Sequence, residues 1–121
     1  MLGEPQEALA VCAMGLAVDP ENAELLFREG VIRRQTEDPA GAERCWRRIL
    51  GLRRADKFSS VDEGIYGHLT RRNLARLAEE RRDFQEADRL WAAVLVECPD
   101  DREALGARSR LANIILSIPR I

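Results

Sequence analysis

The sequence predicts an all-α chain, a superhelix of about six helices arranged as antiparallel pairs. Three observations lead there. Segment EALAVCAMGLAVDP, from Glu7 to Pro20, recurs at an offset of 34 residues and again at a further 45: Ala8, Ala42 and Ala87 fall in one register, as do Val11, Cys45 and Leu90, Cys12, Trp46 and Trp91, and Leu16, Leu50 and Leu95. A second series obeys the same offsets in reverse order: Gly30, Ala75 and Ser109, with Ile32, Leu77 and Leu111. Finally, 45% hydrophobic residues can fill a core while 33% charged residues clothe helix faces. Small residues at fixed spacing let two helices approach closely, and the bulky residues beside them fill the space between neighbouring pairs.

These positions resemble the tetratricopeptide repeat (TPR) family, whose repeat is a helix-turn-helix of about 34 residues. Gly30, Ala42 and Trp46 match its pattern in one unit, and Ala75, Ala87, Trp91 and Pro99 in the next. Arg54 stands where the earlier unit would carry its proline, and Leu26 and Arg71 occupy aromatic positions of the first helices. The resemblance implies a right-handed superhelix that binds proteins or peptides.

Taken in order, residues 5–18 are expected to form the second helix of a half repeat, with Pro5 in the first turn where its missing N–H costs nothing. Asp19-Pro20-Glu21-Asn22 is the turn. Residues 23–35 and 40–53 make a full repeat over 23–53, Asp38-Pro39 starting its second helix. The 11 extra residues between the two offsets become a loop over 54–60 and a lengthened first helix. Ser60-Val61-Asp62-Glu63 has capping-box spacing, so that helix is expected over 61–81, weakened by Gly64 and Gly67. A helix over 84–97 completes the repeat at 61–98, and 101–117 supplies a capping helix stopped by Pro119. The whole of 1–121 reads as one domain.

Composition narrows function. Nineteen basic residues against twenty-one acidic ones, with Lys57 the sole lysine, lack the positive excess that nucleic-acid binding requires. No apolar run is long enough to span a membrane, and the acidic N-terminus is unlike a signal peptide, so a soluble, cytoplasmic protein is expected. Cys12, Cys45 and Cys98 are odd in number and widely spaced, which fits neither a disulfide framework nor a zinc site. No phosphate loop, nucleophile elbow or HExxH motif occurs, so neither catalysis, cofactor nor metal is expected.

The TPR resemblance implies a concave groove lined by first helices. On this sequence it would present Phe27, Arg28, Val31 and Arg34, then Leu69, Arg72, Asn73 and Arg76, and finally Arg110. Arginine forks hold carboxylates through two bonds, and an asparagine both donates to and accepts from a peptide backbone. Asn73 matches a carboxylate-clamp position of some TPR domains, whereas Leu69 stands where that clamp needs a basic residue. The alternative is a solvated surface in which these arginines pair with Glu79, Glu80 and Glu103. His68, lacking a second ligand at helical spacing, reads as a surface residue, and Trp46 and Trp91 read as core. Ile114, Ile115, Leu116 and Ile118 exceed what one helix face buries, giving either a folded-back cap or a patch for self-association.

The reading is therefore a protein-interaction scaffold that binds a peptide or subunit through its groove or its apolar ends, a homo-oligomer through those ends included. A second resemblance supplies the alternative. Residues 58–100 are similar to TPR regions attached to bacterial family 2 glycosyltransferases, which implies a non-catalytic C-terminal portion of a larger enzyme.

Overall fold

The computed structural model describes residues 4–52 and 63–117, Glu63 by its backbone alone. Six α-helices and one 3-10 turn lie within them: α1 (Glu4–Val18), α2 (Ala23–Gln35), α3 (Pro39–Leu50), the 3-10 turn (Glu63–Tyr66), α4 (His68–Glu80), α5 (Phe84–Glu97) and α6 (Arg102–Ser117). The chain divides into two compact units, residues 1–66 and 67–121. In the first, α1 packs on α2, α2 on α3, and the 3-10 turn on both α2 and α3; in the second, α4 packs on α5 and α5 on α6.

Each unit has a hairpin, α2–α3 or α4–α5, closed by the same turn 45 residues apart. Glu37 and Arg82 take left-handed conformations, with φ of 63° and 65°. The following N–H groups reach back into the helix: Asp38 donates to the Arg33 carbonyl at 2.7 Å and Asp83 to the Ala78 carbonyl at 2.8 Å. Glu37 and Arg82 donate to the Arg34 and Glu79 carbonyls at 3.3 and 3.0 Å, completing a Schellman ending in both places. The two aspartates then cap the next helix, Asp38 accepting from the Gly41 N–H at 3.0 Å and Asp83 from the Glu86 N–H at 3.3 Å. One six-residue device therefore satisfies the ends of two helices and reverses the chain.

Ala42, Trp46 and Ile49 are buried in the first unit, and Ala75, Leu77, Ala87, Trp91 and Val94 in the second. Gly30 permits a close approach: a Cβ there would collide with the Trp46 indole Nε1, which instead donates to the Phe27 carbonyl at 3.3 Å. Ala75 fills the equivalent place, and Trp91 donates to Glu79 Oε2 at 2.8 Å.

The largest departure from the sequence reading is at the start of α4. The helix expected over 61–81 is broken: a 3-10 turn occupies Glu63–Tyr66, and α4 begins only at His68. Ile65, 8% exposed, anchors the turn within the first unit. Gly67 lies outside the helical region, with φ of −145° and ψ of −107°, and offers α4 no side-chain cap. The carboxylate of Glu97 takes that role from α5, accepting the His68 N–H at 3.0 Å, and a Cβ at Gly67 would strike it. Packing of Ile65 and this remote cap outweigh the local preference to continue a helix. The Ser60 capping-box start and the whole of the 54–60 loop region lie outside the described residues. Similarly, α3 ends at Leu50, short of the expected residue 53, with Gly51 as its cap.

Candidate interaction surfaces

Predicted groove residues divide between the units. Phe27 and Val31 are half-buried on α2, with Arg28 and Arg34 exposed beside them. Arg28 forms an exposed pair with Glu24 at 3.5 Å. In the second unit Leu69, Arg72, Asn73 and Arg76 are half-buried on α4. Arg76 holds Glu103 through two bonds, of 2.8 and 2.7 Å, and donates to Asn73 Oδ1 at 3.2 Å. Arg72 binds Asp101, its Nε lying 3.6 Å from Glu103 without a hydrogen bond. Arg110, exposed, binds Glu79, whose other oxygen serves Trp91. Hydrogen bonding to Arg76 holds the Glu103 carboxyl below its usual range, and the Ala104 N–H does the same for Asp101, assisted by Arg72. Arg72, Arg76 and Arg110 therefore meet acids of their own unit, including the expected Glu79 and Glu103.

His68 turns Nδ1 to Glu97 Oε2 at 3.0 Å, and Arg71 donates to the other Glu97 oxygen at 2.9 Å. This cluster fixes the start of α4. Among the described residues no group of three or more His, Cys, Asp or Glu side chains is placed to hold a metal ion. No helix of the described residues is long and apolar enough to cross a membrane.

A different surface stands out on α1. Val11, Met14 and Val18 are 63%, 72% and 88% exposed. Their spacing of three and four residues puts them on one face. The register with Cys45 and Leu90 marks Val11 as a packing position, yet those two are each 7% exposed. The difference is physical. Cys45 is buried where α3 meets α2, and Leu90 where α5 meets α4, whereas the described residues give α1 no first helix of its own. At the other extreme Ser109, in register with Gly30 and Ala75, is exposed, and among the described residues no helix follows α6. Leu105 and Leu116 on α6 are 49% and 77% exposed, while Ile114 and Ile115 are half-buried. Ile118 lies outside the described residues.

The first unit also holds a polar interior that the sequence reading missed. Glu29, on α2, accepts from Arg33 Nε at 2.8 Å and from the Cys45 thiol at 3.1 Å, and Arg33 continues to Asp38 at 2.8 Å. Burial opposes the Glu29 charge, but the Arg33 and Cys45 hydrogen bonds outweigh it and lower its pKa. Burial, and then the Glu29 carboxylate, push the Cys45 thiol up to about 12. Cys12 is raised by burial first and by Glu29 second. These thiols are protonated packing groups at neutral pH and are poorly suited to act as nucleophiles.

This network forms part of the wall of a cleft of about 310 Å³, rimmed by Arg44 and Arg48 with Leu16 and Leu26 alongside. A broad, shallow depression lined by Ala40, Glu43 and Arg47 shares the same two arginines, which form the ridge between the hollows. A legible signal existed: Arg47-Arg48 stands 45 residues before Ala92-Ala93 in otherwise matching helices.

Among solved structures the chain is similar to a tetratricopeptide repeat protein from Parabacteroides merdae, with a TM-score of 0.64 and 24% identity over 94% of this chain. The fold is TPR-like. This chain spans only 40% of the length of that protein. No protein-family model matches the sequence. No curated protein matches it either.

Proposed function

We propose that this TPR-like chain is a non-catalytic protein-interaction module, and that its principal contact is a helix laid along the apolar stripe of α1. The observation that carries this is the exposure of Val11, Met14 and Val18 on one face of α1, although the register partners of Val11, Cys45 and Leu90, are each 7% exposed. A repeat helix buries its apolar face only against neighbours, so an open face of this kind invites a helix in the role that α2 plays for α3. A second copy would supply such a helix through the exposed Leu105 and Leu116 of α6, and a partner protein or a further segment of a longer chain would supply it equally. TPR-like folds generally work by binding rather than by chemistry, which agrees with this reading.

The arginine face of α4 and α6 is the weaker candidate for the main contact. A peptide carboxylate arriving there would have to displace Glu103 from a two-bond grip by Arg76, or Glu79 from Arg110. The first-helix face of α2, with Phe27 and Val31 half-buried and Arg28 exposed, stays a secondary surface in this proposal.

Capture from lysate of the source cell tests the proposal. Triple substitution Val11→Asp, Met14→Asp and Val18→Asp abolishes retention of the partner, or converts a concentration-dependent sedimentation coefficient to that of a monomer. Arg72→Ala with Asn73→Ala leaves both intact. Retention that survives the α1 substitutions and is lost with the α4 pair would overturn the assignment.

A further inference from the structure

We propose that the cleft between α2 and α3 is a second binding site, one that takes the carboxylate side chains of an acidic peptide on Arg44 and Arg48. This goes beyond the α1 contact and shares no residue with it.

Charge gives the first reason. The cleft carries Arg33, Arg44 and Arg48 against the single acid Glu29, a surplus of two positive charges. Glu29 is already committed to Arg33 at 2.8 Å and to the Cys45 thiol at 3.1 Å. Asp38, close enough for Arg44 to lower its pKa, caps α3 and is held by Arg33 at 2.8 Å. Neither Arg44 nor Arg48 forms a salt bridge among the described residues, although Arg47 between them holds Glu43 at 2.9 Å.

Geometry gives the second. Arg44 and Arg48 are one turn apart on α3, so both project to the same side. Each borders the cleft and the neighbouring depression, giving an elongated track rather than a closed cradle. The cleft wall holds no lysine, serine or threonine that would ring a tetrahedral phosphate. Planar guanidinium forks suit planar carboxylates, and an extended track suits a peptide. The equivalent helix in the second unit has lost the site: Arg89 replaces Arg44 but holds Glu86 at 3.1 Å, and Ala93 replaces Arg48.

Fluorescence anisotropy with a labelled peptide of alternating glutamate and glycine tests this, with the glutamine counterpart as its neutral control. The glutamate peptide binds saturably at low salt and the glutamine peptide does not. Arg44→Ala with Arg48→Ala weakens binding by about tenfold or more. Both side chains are exposed, so helicity and melting stay unchanged in that variant. Arg89→Ala stays within about twofold of the parent chain. Absence of saturable binding, equal affinity in the double variant, or full displacement by inorganic phosphate alone would each overturn the proposal. Neutral replacements on α1, Val11→Ser with Met14→Ser and Val18→Ser, leave binding of this peptide unchanged, so failure here is separable from failure of the α1 assignment.

Discussion

The α2–α3 and α4–α5 hairpins share a turn and differ in what they enclose. Forty-five residues apart, Glu29 corresponds to Leu74, Arg33 to Ala78 and Cys45 to Leu90. The first hairpin surrounds a carboxylate with a thiol and a guanidinium; the second has aliphatic groups at all three positions. Three linked changes of this kind show that the fold needs a filled volume at the hairpin seam and accepts either chemistry, provided the polar version is complete. They also explain the cleft, since a polar wall supports a basic rim where the aliphatic one has Ala93 in place of Arg48.

The largest test of this contrast transfers one polar residue alone. Leu74 is 2% exposed, and Leu74→Glu buries a carboxylate beside Leu90 and Ala78 without a donor. Urea unfolding should show a loss of more than about 3 kcal/mol. A loss of a few tenths would mean that the Glu29 partners are dispensable.

A smaller effect separates the hairpins by pH. With its folded pKa near 12, the Cys45 thiol keeps its proton while the unfolded chain loses it at about 8.5. The unfolded state then binds fewer protons, so stability is complete below about pH 8.5 and is lost as pH rises towards 12, on the order of 1 kcal/mol per unit at most. Cys45→Leu, the residue found at position 90, flattens this alkaline decline, as melts between neutral and alkaline pH will show. Acid does not separate the hairpins. Glu29 and Asp38 in one, Asp101 and Glu103 in the other unit, all have lowered pKa values, so both units lose stability as pH falls through those values.

The smallest effect concerns what the hairpins share. Glu37 and Arg82 sit at φ of 63° and 65°, where a Cβ is strained. Glu37→Gly raises stability by about 0.5–1 kcal/mol. Arg82→Gly gains less, because the Arg82 guanidinium lies 5.8 Å from the centre of the Phe84 ring. Equal gains would remove that contact from the account.

How much of this was legible follows from which forces were local. The paired offsets place Ala42, Trp46, Ala87 and Trp91 in the core correctly because repeat register is a local pattern. Register failed at Val11 and Ser109, where burial depends on a neighbouring helix that the pattern takes for granted. Capping rules favoured Ser60 as a helix start, while α4 is started by Glu97 from 29 residues away, a tertiary contact that spacing cannot reveal. The α4 arginines, read in the sequence as groove contacts, pair with Asp101 and Glu103 in the structure, and spacing alone does not decide between a ligand and those acids as their partner. Arg44 and Arg48 were passed over because the groove expected from the resemblance lies on first helices and these stand on a second.

The most direct test of the central claim places a photo-crosslinking amino acid at Met14 and, separately, at Ala13, which is also exposed but on another face of α1. Irradiation of source cells expressing each variant should give a discrete covalent adduct from position 14 and little from position 13. Equal adducts from both positions, or none from position 14, would contradict the assignment of α1 as the binding face.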